Sequence, residues 1–149
     1  MIKRRFNLFS YIIFILHGGF FAGSQVLVNI IGEVYGAGPI QKSRMVSAIY
    51  LGSMLMVLIA GEISQKAGKR KSVVLTSLLM GLGGGIIALS SNLLQAGIGF
   101  FVYGSGIGGF ESALFSLIDD YNEDRAYRYL NNVQVTFSIG AVVFPLIVP

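Results

Sequence analysis

A carboxylate and a handful of amides stand in or at the edge of long apolar runs of this chain: Glu111, Asn131 and Gln134, and, nearer the N-terminus, Gln25 and Asn29. A charge at the centre of a bilayer costs about 2.5–3.5 kcal/mol on insertion scales, so an acid within a membrane span is functional by default. Such a carboxylate can take up and release a proton, or hold a cation through its oxygens. Amides both donate and accept hydrogen bonds, as sugar hydroxyls require. Asn131, Gln134 and Ser138 fall at i, i+3 and i+7, on one face of a helix, with Gln134 the leading candidate ligand. His17 is a further titratable group within an apolar run.

These groups need an apolar scaffold, and the composition supplies one. The chain of 149 residues is 54% hydrophobic and 12% charged, against about 25% charged in soluble domains. That is the composition of an all-α integral membrane protein. Measured against the roughly 20 residues a spanning helix needs, the apolar runs place five transmembrane helices at about residues 9–31, 45–63, 73–89, 93–118 and 133–148. The first run follows Lys3, Arg4 and Arg5 like a signal peptide, but it is too long and is followed by more spans, so it reads as a retained helix. Lys3, Arg4, Arg5, Lys66, Lys69, Arg70, Lys71, Arg125 and Arg128 fall on one side of the membrane, and Lys42 and Arg44 on the other. The positive-inside rule then puts the N-terminus in the cytoplasm of a multi-pass protein of the cell membrane.

With no cysteine and a single histidine, the chain offers no metal site, disulfide or thiol nucleophile, and neither a cofactor nor a nucleic-acid partner is expected. No Ser/His/Asp set or carboxylate pair converges within the spans, so an enzyme is not expected. Gly104, Gly106 and Gly109 match the dinucleotide fingerprint G-x-G-x-x-G. They lie within one long apolar run, however, where the fingerprint needs a strand–turn–helix unit. On a helix, glycines mean close packing. Gly97, Gly104, Gly108 and Glu111 share one stripe, which predicts a helix contact through Gly104-x-x-x-Gly108 and turns Glu111 away from lipid. Glu111 stands seven residues before Ile118, on the order of 10 Å from the cytoplasmic end of its helix. The stretch from Asp119 to Arg128, with four acids and two arginines, reads as a solvated loop.

Between the second and third spans lies GEISQKAGKRK, with Gly61, Gln65, Lys66, Gly68, Arg70 and Lys71 at fixed spacing. Gly61 would allow close helix approach, and Gly68 the positive φ of a tight turn. The cations would hold the turn at an anionic leaflet. This spacing resembles the signature loop of the major facilitator superfamily, Gly-x-x-x-Asp-Arg/Lys-x-Gly-x-Arg/Lys-Arg/Lys, and lies between the same two helices. Gln65 stands where the family has an aspartate; an amide can hydrogen-bond there but cannot form the family's ion pair.

The resemblance narrows at GIGGFESA and LNNVQVTFSIGA. These look like helices four and five of fucose-permease-like sugar porters, with Gly-x-Gly-x-x-Glu-x-Ala followed by Leu-Asn-x-x-Gln-x-Phe-x-x-x-Gly-Ala. The resemblance implies that Glu111 is the proton-coupling glutamate of helix four. It likewise puts Asn131 and Gln134 on the helix-five amides, the glutamine belonging to the sugar site. The helix-one region HGGFFAGSQVLVN supplies Gln25 and Asn29 but not the second acid of those porters. Phe100 occupies about the place where many facilitators carry an arginine.

The resemblance implies secondary transport of a small polar solute, a sugar, by alternating access, with a proton or sodium as coupling ion and the lipid bilayer as surroundings. Family members have twelve helices in two halves, so residues 1–149 correspond to part of an N-terminal transmembrane domain with the C-terminal half absent. The alternative reading is a non-transporting membrane scaffold or assembly subunit, in which Glu111 and the glycines only pack helices.

Overall fold

Five helices follow the predicted order in a computed structural model that describes residues 2–147. They are α1 (Ile2–Val34), α2 (Pro39–Ala67), α3 (Lys69–Ala88), α4 (Leu93–Asn122) and α5 (Ala126–Ile147), with a 3₁₀ turn, Glu123–Arg125, ahead of α5. Among the described residues there is no strand. Each helix is long and apolar enough to cross a membrane. Even α3, with 20 residues, spans about 30 Å, the thickness of the hydrocarbon core. The protein is an all-α, multi-pass membrane protein.

Most helices outrun the apolar segments that announce them. α1, α2 and α5 begin well before the expected boundaries, because lysine, arginine and glutamine are good helix formers and backbone hydrogen bonding does not stop where the hydrocarbon ends. The expected loop from Asp119 to Arg128 is a correction of the same kind. α4 runs on to Asn122, a 3₁₀ turn follows, and α5 starts at Ala126. Local caps set other ends. Pro39 opens α2, where Gln41 Oε1 accepts the Gly38 N–H at 2.6 Å. At the start of α4, Asn92 Oδ1 accepts the Gln95 N–H at 2.9 Å.

The chain forms two compact units. One comprises the residues up to Leu27 together with those from Leu117 onward, so it pairs most of α1 with the end of α4 and with α5. Here α1 and α5 touch backbone to backbone: a Cβ on Gly18 would strike the Phe137 carbonyl, and one on Gly140 the Ile15 carbonyl. Gly19 and Gly23 receive the Phe144 ring. Near the start of α1, Asn7 and Asn122 exchange amide hydrogen bonds, and Phe6 stacks on Tyr121 with ring centroids 4.3 Å apart.

The other unit, Val28–Ser116, holds the end of α1, all of α2 and α3 and most of α4. α4 is flanked on two faces. Gly104 and Gly108 lie against the carbonyls of Ile49 and Ser53 in α2, while Gly106 and Gly109 lie against Met80 and Thr76 in α3. Gly52 and Gly83 return the contact from α2 and α3, meeting the backbone of Phe101 and Tyr103. Met45, Ile49, Ile87, Phe100 and Ile107 fill the space between. Two connections are tied together, since the Tyr35 hydroxyl after α1 donates to the Ser90 carbonyl after α3. Hydroxyls within the helices satisfy themselves on their own backbone, as in Thr76 to Ser72 at 2.7 Å and Ser105 to Phe101 at 3.0 Å.

Candidate functional site

Glu111 sits on α4 one turn beyond Gly108, on the face those glycines press against α2, and is half-buried. The stripe that was expected to carry it is therefore real at Gly104 and Gly108. It fails at Gly97, where a Cβ would meet nothing within 4 Å among the described residues. The spacing is periodic along α4, but α2 is close enough to touch only along part of it.

In the unit that contains α5, Asn131 and Gln134 are both exposed, whereas Val133 and Gly140 are buried. The two amides therefore share the open side of α5, away from the face that packs on α1. Ser138, on the same side, donates its hydroxyl to the Gln134 carbonyl at 3.0 Å and keeps only its lone pairs for a ligand. Gln25 lies on α1 in this unit and is half-buried. Asn29, one turn further along α1, is exposed and belongs to the second unit, as does Glu111.

His17 is buried on α1. Its ring lies edge-on to Phe14, with centroids 6.1 Å apart, and tilted against Phe137 of α5 at 5.7 Å. An aromatic cluster thus packs α1 on α5 one helical turn from Gln134. The sequence offered no sign of it, because Phe137 is one of eleven phenylalanines and its partner lies 120 positions away.

The basic turn between α2 and α3 is a single residue. Gly68 adopts φ 87° and ψ 140°, the positive φ expected of it. Its N–H donates to Ser64 at 3.0 Å, and its carbonyl accepts the Ser72 N–H at 3.0 Å. Gly61, expected to allow a close helix approach, has no neighbour within 4 Å of a Cβ among the described residues. Lys66 pairs with Glu62 at 2.5 Å on the exposed side of α2. Lys69 reaches α4 and donates to the Ser116 carbonyl at 3.3 Å. Gln65, Arg70 and Lys71 are exposed.

Apolar spanning helices, glycine-mediated packing around α4 and a one-residue basic turn after α2 meet a family-level match: the sequence model of the Major Facilitator Superfamily covers residues 9–149. The chain belongs to the Major Facilitator Superfamily. No curated protein and no solved structure matches it. Superfamily members are secondary transporters rather than enzymes, so the chain is a facilitator sequence whose business is moving a solute across a bilayer.

Proposed function

We propose that this facilitator carries a small polar solute, a sugar, in the manner of the fucose-permease-like porters, by alternating access driven by a proton gradient. Gln134 and Asn131, with Gln25 and Asn29, hydrogen-bond the sugar. Glu111 carries the coupling proton, with sodium as the other ion its oxygens suit. The basic turn with Gly61, Gln65, Lys66, Gly68, Arg70 and Lys71 lies on the cytoplasmic side of the cell membrane, as does the N-terminus. The five helices work against a second half, as in the superfamily's paired six-helix bundles.

One observation carries the reading: Asn131 and Gln134 are exposed on a membrane-spanning helix. Polar side chains within a span face a bundle interior or a watery cavity rather than lipid. Facilitators bind solute in such a cavity near the midplane. The charge asymmetry of the turns supports the orientation.

The test is counterflow of a panel of radiolabelled sugars in vesicles containing the full-length protein and its Gln134→Ala variant. One sugar should exchange, and the variant should lose about five- to twentyfold in affinity for it, the worth of one or two hydrogen bonds. Exchange of a sugar with equal affinity in both proteins would remove Gln134 from the site.

A further inference from the structure

The starts of α2 and α4 leave an open apolar groove of 480 Å³ between them, lined by Met45, Leu94, Gly97, Ile98 and Phe101, with Gln41 and Arg44 as its polar members. Gly97 is why the groove exists. A Cβ there would meet no neighbouring helix within 4 Å among the described residues and would point into the groove that Gly97 lines. A second shallow trough shares Arg44 and runs along α2 past Ser47, Leu51 and Met54. Two apolar tracks thus diverge from one guanidinium.

Arg44 is exposed and forms no ion pair among the described residues, whereas the neighbouring Lys42 is engaged with Glu33 at 3.7 Å. Depth is informative as well. Gln41 and Arg44 lie two and five residues into α2, about 3 and 8 Å along its axis, whereas Phe101 lies about 12 Å along α4. The cation therefore stands near the headgroup level and the groove descends into the hydrocarbon. A guanidinium with no acidic partner among the described residues can fork its N–H groups onto a phosphate, and its charge favours an anionic headgroup.

We propose that this surface binds one anionic phospholipid of the leaflet at the starts of α2 and α4. The phosphate sits on Arg44 and Gln41, one acyl chain fills the α2–α4 groove over Gly97, and the other lies along the Ser47–Met54 track. The proposal rests on α2 and α4 spanning the membrane and not on the identity of the solute.

The test uses the full-length protein in nanodiscs of mixed phosphatidylglycerol and phosphatidylcholine, delipidated stepwise and weighed by native mass spectrometry. The wild type should keep one phosphatidylglycerol after bulk lipid is gone. Arg44→Gln should lower its retention about fivefold, the worth of one cation at an anionic surface. Gly97→Leu, which favours the helix and fills the groove, should lower it by at least as much. Gly84→Ala, on α3 and outside both troughs, should leave it unchanged. A p-benzoylphenylalanine substituted for Ile98 should crosslink to lipid on irradiation. Equal retention of phosphatidylcholine, unchanged retention in both groove variants, or an equal loss in Gly84→Ala would overturn the proposal. So would a crosslink to another segment of the protein or to a second copy, which would make the groove a protein interface.

Discussion

Asn7 and Asn122, 115 positions apart, form a closed pair: each donates its amide to the other's carbonyl oxygen, at 2.9 and 3.0 Å, and both are buried. Asn122 also donates to the Ile118 carbonyl at 2.9 Å, which fixes the orientation of its amide on the end of α4. The pair locks the start of α1 to the end of α4 within one unit of the fold.

Truncating either partner leaves the other amide buried and short of its hydrogen bonds, so Asn7→Ala and Asn122→Ala should each cost about 1–3 kcal/mol. Once one amide is gone the second no longer has the mutual pair to lose, and Asn122 keeps only its bond to the Ile118 carbonyl. The double variant should therefore be about 0.5–3 kcal/mol more stable than the sum of the single effects predicts. Thermal unfolding of the detergent-solubilised protein, run as a double-mutant cycle, measures this coupling. Strict additivity would mean that the two amides do not depend on each other.

At Gly68 the backbone rather than a contact is the constraint, for a Cβ there would meet open space but would sit at φ 87°. Gly68→Val should lose about 1–3 kcal/mol through backbone strain. Lys69→Ala removes one long hydrogen bond to Ser116 and should lose about 0.5–1.5 kcal/mol. The yield of monodisperse protein and the unfolding temperature should rank the two variants in that order. Equal values would mean that the turn relaxes to accept a side chain.

Glycines of equal abundance should differ sharply in tolerance. A Cβ on Gly104 would strike the Ile49 carbonyl, an atom with no freedom to move aside, whereas one on Gly84 would meet nothing. Gly104→Ala should destabilise by about 1–3 kcal/mol through overpacking. Gly84→Ala should be neutral, or stabilise by about 0.5–1 kcal/mol through the lower chain entropy of alanine. Matched unfolding curves of the two variants decide whether α4 sits as close to α2 as described.

For coupling, the informative change is Glu111→Gln, which keeps shape and hydrogen bonding but cannot ionise. Uphill uptake driven by a pH gradient should vanish, while exchange of solute across the membrane persists. If sodium is the ion, its stimulation of uptake should vanish instead. Paired uptake and counterflow in vesicles, with and without each gradient, separate these outcomes. Gradient-driven accumulation at the wild-type level would show that Glu111 only packs α4 on α2.

The number and order of the helices were legible because a bilayer imposes a length, and a length is written locally in an apolar run. Helix ends were less legible, since hydropathy reports where hydrocarbon stops and not where backbone hydrogen bonding does. Gly68 could be read because positive φ is a property of one residue. A Cβ on Gly61 or Gly97 would meet no neighbour within 4 Å among the described residues, for glycine spacing identifies a face without saying whether a neighbour is present. Asn131 and Gln134 were legible as one helical face, and both lie on the open side of α5. The pairing of Asn7 with Asn122 and the seating of His17 against Phe137 leave no local pattern, because the partners are more than a hundred residues apart.

The one-residue link at Gly68 also has a mechanical side. About 3.8 Å separates successive Cα atoms, so the chain between α2 and α3 holds no spare length. If α2 slides along its axis, the beginning of α3 must travel with it, and through Lys69 the pull reaches the Ser116 backbone on α4. The connection from Tyr35 to Gly38 between α1 and α2 has several residues with which to absorb the same displacement. The two ends of α2 are therefore unequal, one a single-residue elbow and the other a four-residue link, and strain applied to this helix is passed on at Gly68.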